Sequence, residues 1–286
     1  VSDPELDQVR GRINEWVAGG MKEADAKVEG RKMVRDINSR STGAAGAMLT
    51  ARGLEVVYAD ELAPLVFTYA DAAEIAALAE EPIVAELFAS ITYKPEIQDQ
   101  VQTHRWDRIF NFGVPGKDIK VAVVEDDGVA NNHSDLAVAA YYDPGSLNVG
   151  SHATAVASML CGRDASTYRG HAPGALLYSG NSQTYNDADL IAATNWAINQ
   201  GCEVINMSFG FDVAGVIQAL DRYVDYQGRY NSTTIVKSCG NEGNGSGYIT
   251  SPGLGWNVLS VGNFNENSDS DWDNDAMNSG SSYIDP

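Results

Sequence analysis

Val121-Ala122-Val123-Val124-Glu125-Asp126-Asp127-Gly128-Val129 is the stretch on which the reading of this chain turns. Four apolar residues in a row have the length and composition of a strand buried on both faces, as in parallel sheets. Three acids and a glycine end it, and the carboxyl end of a parallel strand is where open α/β sheets place their ligands. Downstream, the pattern predicts a helix over 152–161, a strand over 175–179, a helix over 187–200, a strand over 203–207, a helix over 213–227, and strands over 233–237 and 257–261. Asp187 near the start of the second helix and Gly201 just past its end fit helix-capping preferences. This alternation predicts an α/β fold, a mainly parallel sheet flanked by helices.

Upstream of the strand the pattern differs. Residues 4–40 are charge-rich, with Val9, Ile13, Trp16 and Val17 at helical spacing, which predicts one amphipathic helix. The Gly/Ala-rich stretch 41–49 reads as a connector. Strands over 53–59, 65–70 and 82–88, with a helix over 70–79, then make a small α+β unit. The expected division is therefore 1–97 and 98–286.

Composition narrows the function. Thirty-nine acidic residues against 19 basic give a net charge of −20, which repels nucleic-acid phosphates and anionic lipid surfaces. No basic patch offsets it, so neither nucleic acid nor membrane is expected as a partner. No stretch approaches the ~20 apolar residues that span a bilayer. There is no basic-then-apolar secretion signal, but a chain beginning with valine leaves compartment open, and a secreted or extracellular setting is expected over a cytoplasmic one. Cys161, Cys202 and Cys239 lie in apolar or small-residue segments without metal-ligand spacing and read as buried thiols.

The acids at 125–127 resemble two things: the opening of a receiver domain, where adjacent acids hold magnesium, and the aspartate segment of a hydrolase. A receiver needs a phospho-acceptor aspartate at the end of its third strand, and here that strand ends in Leu177-Tyr178-Ser179-Gly180. The hydrolase reading gains a partner in Ser151-His152-Ala153-Thr154-Ala155-Val156-Ala157-Ser158, a histidine opening a helix of small residues that can pack closely inside a domain. His104, His133 and His171 read as structural.

These segments, taken in order, resemble the subtilase family of serine proteases. His133-Ser134-Asp135-Leu136 is similar to its H-P-D-L, His152 to Ser158 to H-G-T-x-V-A-[GS], Gly170 to Ala175 to G-V-A-P-x-A, Val204 to Gly210 to V-I-N-M-S-L-G, and Ser238 to Gly243 to A-A-G-N-x-G. The resemblance implies a subtilisin-like fold and a serine endopeptidase with an Asp-His-Ser triad. It makes Asp126, two residues before Gly128, the triad acid, His152 the base and Asn241 the oxyanion-hole donor. The acid segment departs from the family pattern at Glu125 and Asp127, so a register slip of one gives the role to either. Ser208-Phe209-Gly210 and residues 179–182, with Ser179 and Gly180, match the family's two segments that flank a bound peptide.

The family's G-T-S-x-A-x-P serine segment is absent from this sequence, and Ser281 and Ser282 resemble the loop that precedes it. The resemblance thus places the serine on a segment beyond residue 286, with this chain alone inactive. Residues 50–97 resemble a subtilase propeptide acting in cis, which makes the chain a zymogen. No cofactor is required. Structural calcium is an option at Asp269-x-Asp271-x-Asp273-x-Asp275. The competing reading is a non-catalytic subtilase-fold protein that binds a peptide or a partner.

Overall fold

In a computed structural model of the chain, Lys120–Glu125 forms strand β4 at the centre of a six-stranded sheet. The described residues are 4–90, 94–95, 115–145, 148–163, 170–243, 247–265 and 272–284. They fall into two units, Val1–Ser90 with Asp225–Ser232, and Ile91–Val224 with Thr233–Pro286.

In the first unit, helices α1 (Pro4–Ala18) and α2 (Glu23–Ala51) pack through Leu6, Val9, Val34 and Ile37, joined by Tyr230. Gly30 permits their approach, since a Cβ there would lie 2.4 Å from Ile13 Cδ1. One helix was expected over 4–40; the chain breaks at Gly19-Gly20, where Gly20 takes a positive φ of 95°. The expected connector 41–49 continues α2 instead, because its alanines outweigh Gly43 and Gly46 in helix propensity. Strands β1 (Val56–Ala59) and β2 (Val66–Thr68) pair antiparallel. Asp71 and Glu74 form a capping box on α3 (Ala72–Ala79). Residues 82–88, expected as a strand, carry no ladder.

The second unit holds the sheet. Beside β4 it contains β5 (Val138–Tyr142), β6 (Leu176–Asn181), β7 (Val204–Met207), β9 (Thr234–Ser238) and β10 (Val258–Val261), ordered β10-β9-β7-β4-β6-β5 and parallel throughout. Strand order reverses at β4, with β6 and β5 to one side and β7, β9 and β10 to the other. The carboxyl end of β4 is therefore the switch point of the sheet, where such folds open a crevice.

Helices cover both faces. On one, Val121 and Val123 pack against Ala153, Val156 and Ala157 of α4 (Ser151–Cys161). On the other, Gly180 sits against Val124 and Ala193 of α5 (Asp187–Asn199), which is capped by the Asn186 side chain. Helix α6 spans Ala219–Tyr230, later than the expected 213–227, because Ala214 and Gly215 adopt positive φ in a preceding turn. The short strand β8 (Phe209–Gly210) follows β7, and β3 (Lys94–Pro95) pairs with it antiparallel. Strands β11 (Phe264–Asn265) and β12 (Ala276–Met277) pair antiparallel.

No disulfide joins Cys161, Cys202 and Cys239, and all three are buried. Burial pushes the Cys161 thiol up to about 11. It is protonated at neutral pH and unfit as a nucleophile. Among the described residues no helix is long and apolar enough to cross a membrane.

Candidate active site

Side chains alternate across a strand, so the β4 face that gives Val121 and Val123 to the α4 contact also gives it Glu125 and withholds Asp126. Glu125 is fully buried. Its Oε2 lies 3.3 Å from Nδ1 of His152 and accepts a hydrogen bond from the Tyr185 hydroxyl at 3.0 Å. Its Oε1 accepts from the backbone N–H of Ser208 at 3.2 Å. A buried carboxylate must be paired and hydrogen-bonded to persist, and these three groups meet that requirement.

His152 stands in the first turn of α4. Its position is set by backbone bonds between the acid loop and the helix start: Gly128 N–H donates to Asn148, and Gly150 N–H donates to Gly128 at 3.0 Å. Gly150 is needed for this approach, because a Cβ there would meet Asp127 at 2.5 Å. The Thr154 hydroxyl accepts from Ala130 N–H and donates to the Gly150 carbonyl, tying the same elements again. The His152–Glu125 approach is an ion-pair distance without an aligned hydrogen bond, and Nε2 has no partner among the described residues.

The sequence motif pointed to Asp126; the carboxylate brought to His152 is Glu125. The register is displaced by one because β4 remains strand through Glu125 and the chain bends only at Asp126 and Asp127. Burial and the neighbouring Asp126 charge raise the Asp127 carboxyl above its ordinary value. Tyr185, which sequence reasoning did not single out, is pushed far up by burial and by the charges of Glu125 and Asp126. It stays a neutral donor.

Asn241 follows β9 in a loop held by Ser282 N–H donating to Gly240 and by Glu242 N–H donating to the Ser282 hydroxyl. Gly240 has a φ of 112°, and a Cβ there would strike Thr250 at 2.5 Å. The buried Lys237, also missed from sequence, donates to Ser238 O and Oγ and to Thr250 Oγ1 beneath this loop. Ser281 and Ser282 are buried with hydroxyls engaged in the same loop contacts.

The expected peptide-flanking residues divide. Phe209 and Gly210 form the edge that pairs with Lys94–Pro95, Phe209 being buried against the Tyr185 ring. Ser179 and Gly180 do not flank a peptide: they lie inside β6, bonded to β4 on one side and β5 on the other, which leaves no edge for another strand. The Ser179 hydroxyl instead accepts from Val129 N–H. His133 Nδ1 accepts from the Asp135 N–H, and His171 Nδ1 lies 3.0 Å from the Met159 carbonyl. His104 lies outside the described residues, as do Asp269 and Asp271 of the calcium option. Among the described residues no group of three or more His, Cys, Asp or Glu side chains is gathered to hold a metal.

A model of the subtilase family matches residues 116–284, which include Glu125, His152, Tyr185, Ser208 and Asn241. The chain belongs to the subtilase family. Subtilisin DY of Bacillus licheniformis is 32% identical over 149 residues, 48% of this chain and 52% of that protein. The structure of fervidolysin from Fervidobacterium pennivorans, a keratinolytic enzyme related to subtilisin, matches 86% of this chain and 44% of its own with a TM-score of 0.59 at 19% identity, a likeness of fold. The chain thus spans about half the length of these relatives.

Proposed function

We propose that this subtilase is a serine endopeptidase precursor in which His152 is the general base toward a serine carried beyond residue 286. The observation that supports this best is the buried acid–histidine pair at the switch point of the sheet. In the reaction, His152 Nε2 takes the proton of the attacking serine and later returns it to the leaving amine, while the carboxylate on Nδ1 stabilises the imidazolium between the two steps. The Asn241 amide donates to the oxyanion of the tetrahedral intermediate. Substrate backbone adds as a strand along Phe209–Gly210, with Ser208 adjoining.

Pairing of Lys94–Pro95 with that same edge supports the further reading that residues 1–97 are a propeptide whose tail lies where substrate would lie. Residues 98–286 are then the incomplete catalytic domain.

The test is a fluorophosphonate probe on the full-length, processed protein. Covalent labelling of one serine outside residues 1–286 is expected; failure to label a folded, processed sample overturns the reading. Asn241→Ala is expected to lower kcat by about 10²–10³ with KM little changed, the loss known for the corresponding donor in a subtilisin. Steady-state hydrolysis of a peptide ester measures it.

A further inference from the structure

Resting on that reading, we propose that Glu125, and not the motif-aligned Asp126, is the residue that positions His152. Three independent features place it there. Strand alternation puts position 125 on the α4 face beside Val121 and Val123. Its carboxylate is fully buried and lies 3.3 Å from Nδ1. Both oxygens are fixed by donors from other elements, Oε2 by the Tyr185 hydroxyl and Oε1 by Ser208 N–H.

The last contact links the base to substrate. Ser208 immediately precedes Phe209–Gly210, so one carboxylate orients the imidazole with one oxygen and anchors the peptide-binding edge with the other. A glutamate reaches one methylene farther than an aspartate. With the strand running through position 125, that extra length lets a residue one place earlier than the motif acid reach the ring.

The role is positioning: Glu125 lies at ion-pair distance from Nδ1 and, as catalytic contacts that are long in the resting state tighten with substrate bound, accepts Nδ1–H, holds the tautomer that leaves Nε2 free to take a proton, and faces the imidazolium when it forms. Tyr185 acts one step further out, by holding Glu125.

The experiment compares Glu125→Gln, Asp126→Asn and Tyr185→Phe in the full-length protein. Glu125→Gln keeps the shape and removes the charge, and is expected to lower kcat by about 10⁴ with KM unchanged, as a neutral amide does in place of a triad aspartate. Asp126→Asn is expected to lose less than tenfold. Tyr185→Phe is expected to lose several-fold on its own and nothing further in the Glu125→Gln background. A second readout does not require turnover: the far-downfield proton resonance of a histidine Nδ1–H bonded to carboxylate is expected in the parent and in Asp126→Asn, and lost in Glu125→Gln and His152→Ala. Near-UV circular dichroism confirms that each variant is folded. If Asp126→Asn abolishes the resonance or takes the larger kcat loss, the assignment to Glu125 is overturned. If the parent shows the resonance but no probe labelling, the pairing stands and the peptidase reading fails.

Discussion

Replacing His152 by alanine in the full-length protein is expected to lower kcat by on the order of 10⁶ with little change in KM, the loss a subtilisin suffers when its histidine alone is removed. A serine hydroxyl is almost wholly protonated at neutral pH, so without a base its attack on an amide must expel a proton to water. Binding and oxyanion stabilisation remain, and they set the residual rate at roughly 10³–10⁴ above the uncatalysed reaction. The substitution is mild structurally: the His152 side chain is 18% exposed in the first turn of α4, and alanine is the best helix former. The same variant is expected to remain at precursor mass, whereas the parent loses an N-terminal piece. Peptide-ester kinetics and intact mass spectrometry read the two effects. A loss below about a hundredfold would mean that another group serves as base.

Much of the fold was legible because it rests on local signals. The apolar run at Val121–Val124, the small-residue helix behind His152 and the Asn186–Gly201 stretch each carry their own period or caps. What was not legible depends on partners distant in sequence. Residues 82–88 have strand-like content, but a strand exists only where another edge accepts its backbone, and none does among the described residues. Strand β5 has no strong pattern of its own, with two alanines among its five residues, and is strand because β6 offers it an edge. Ser179 and Gly180 were misread for the same reason: a motif shows which residues lie in an extended segment, not which of its edges are already paired.

The acid shows the limit at the site itself. A motif counts residues back from Gly128 and lands on Asp126, while geometry counts alternation forward from Val121 and lands on Glu125. The two counts disagree by one where the strand persists longer than the motif assumes. Tyr185 and Lys237 carried no sequence signal, because an aromatic in a polar loop and a lysine in an apolar strand acquire their roles only from what folds against them.

Gly170→Ala is expected to destabilise the protein by about 3 kcal/mol, at the upper end for overpacking and with weakened hydrogen bonds added. The Gly170–Ala175 segment was matched as a family pattern, and the structure supplies its reason. Helix α4 ends at Cys161, and its last turn leaves carbonyls without intrahelical partners. The returning chain satisfies them: His171 N–H donates to Met159 at 2.9 Å, Ala172 N–H to Leu160 at 2.7 Å, and Gly170 N–H to Gly162 at 2.9 Å. To run this close the chain must lack a Cβ at position 170. One placed there would lie 2.5 Å from the Gly162 nitrogen and 2.8 Å from both the Cys161 nitrogen and the Leu160 carbonyl carbon. These are backbone atoms of the helix end that cannot swing aside, so the strands of chain must separate and the three bonds lengthen together. Since His152 sits on the same helix, activity should fall along with stability. Gly43→Ala in α2 is the opposite case. Nothing lies within 4 Å of a Cβ there, and the gain in helix propensity should stabilise by up to about 1 kcal/mol. Thermal unfolding of the two variants beside the parent measures both signs; equal effects from the two glycines would show that the contact at α4, and not glycine's backbone freedom, had been misjudged.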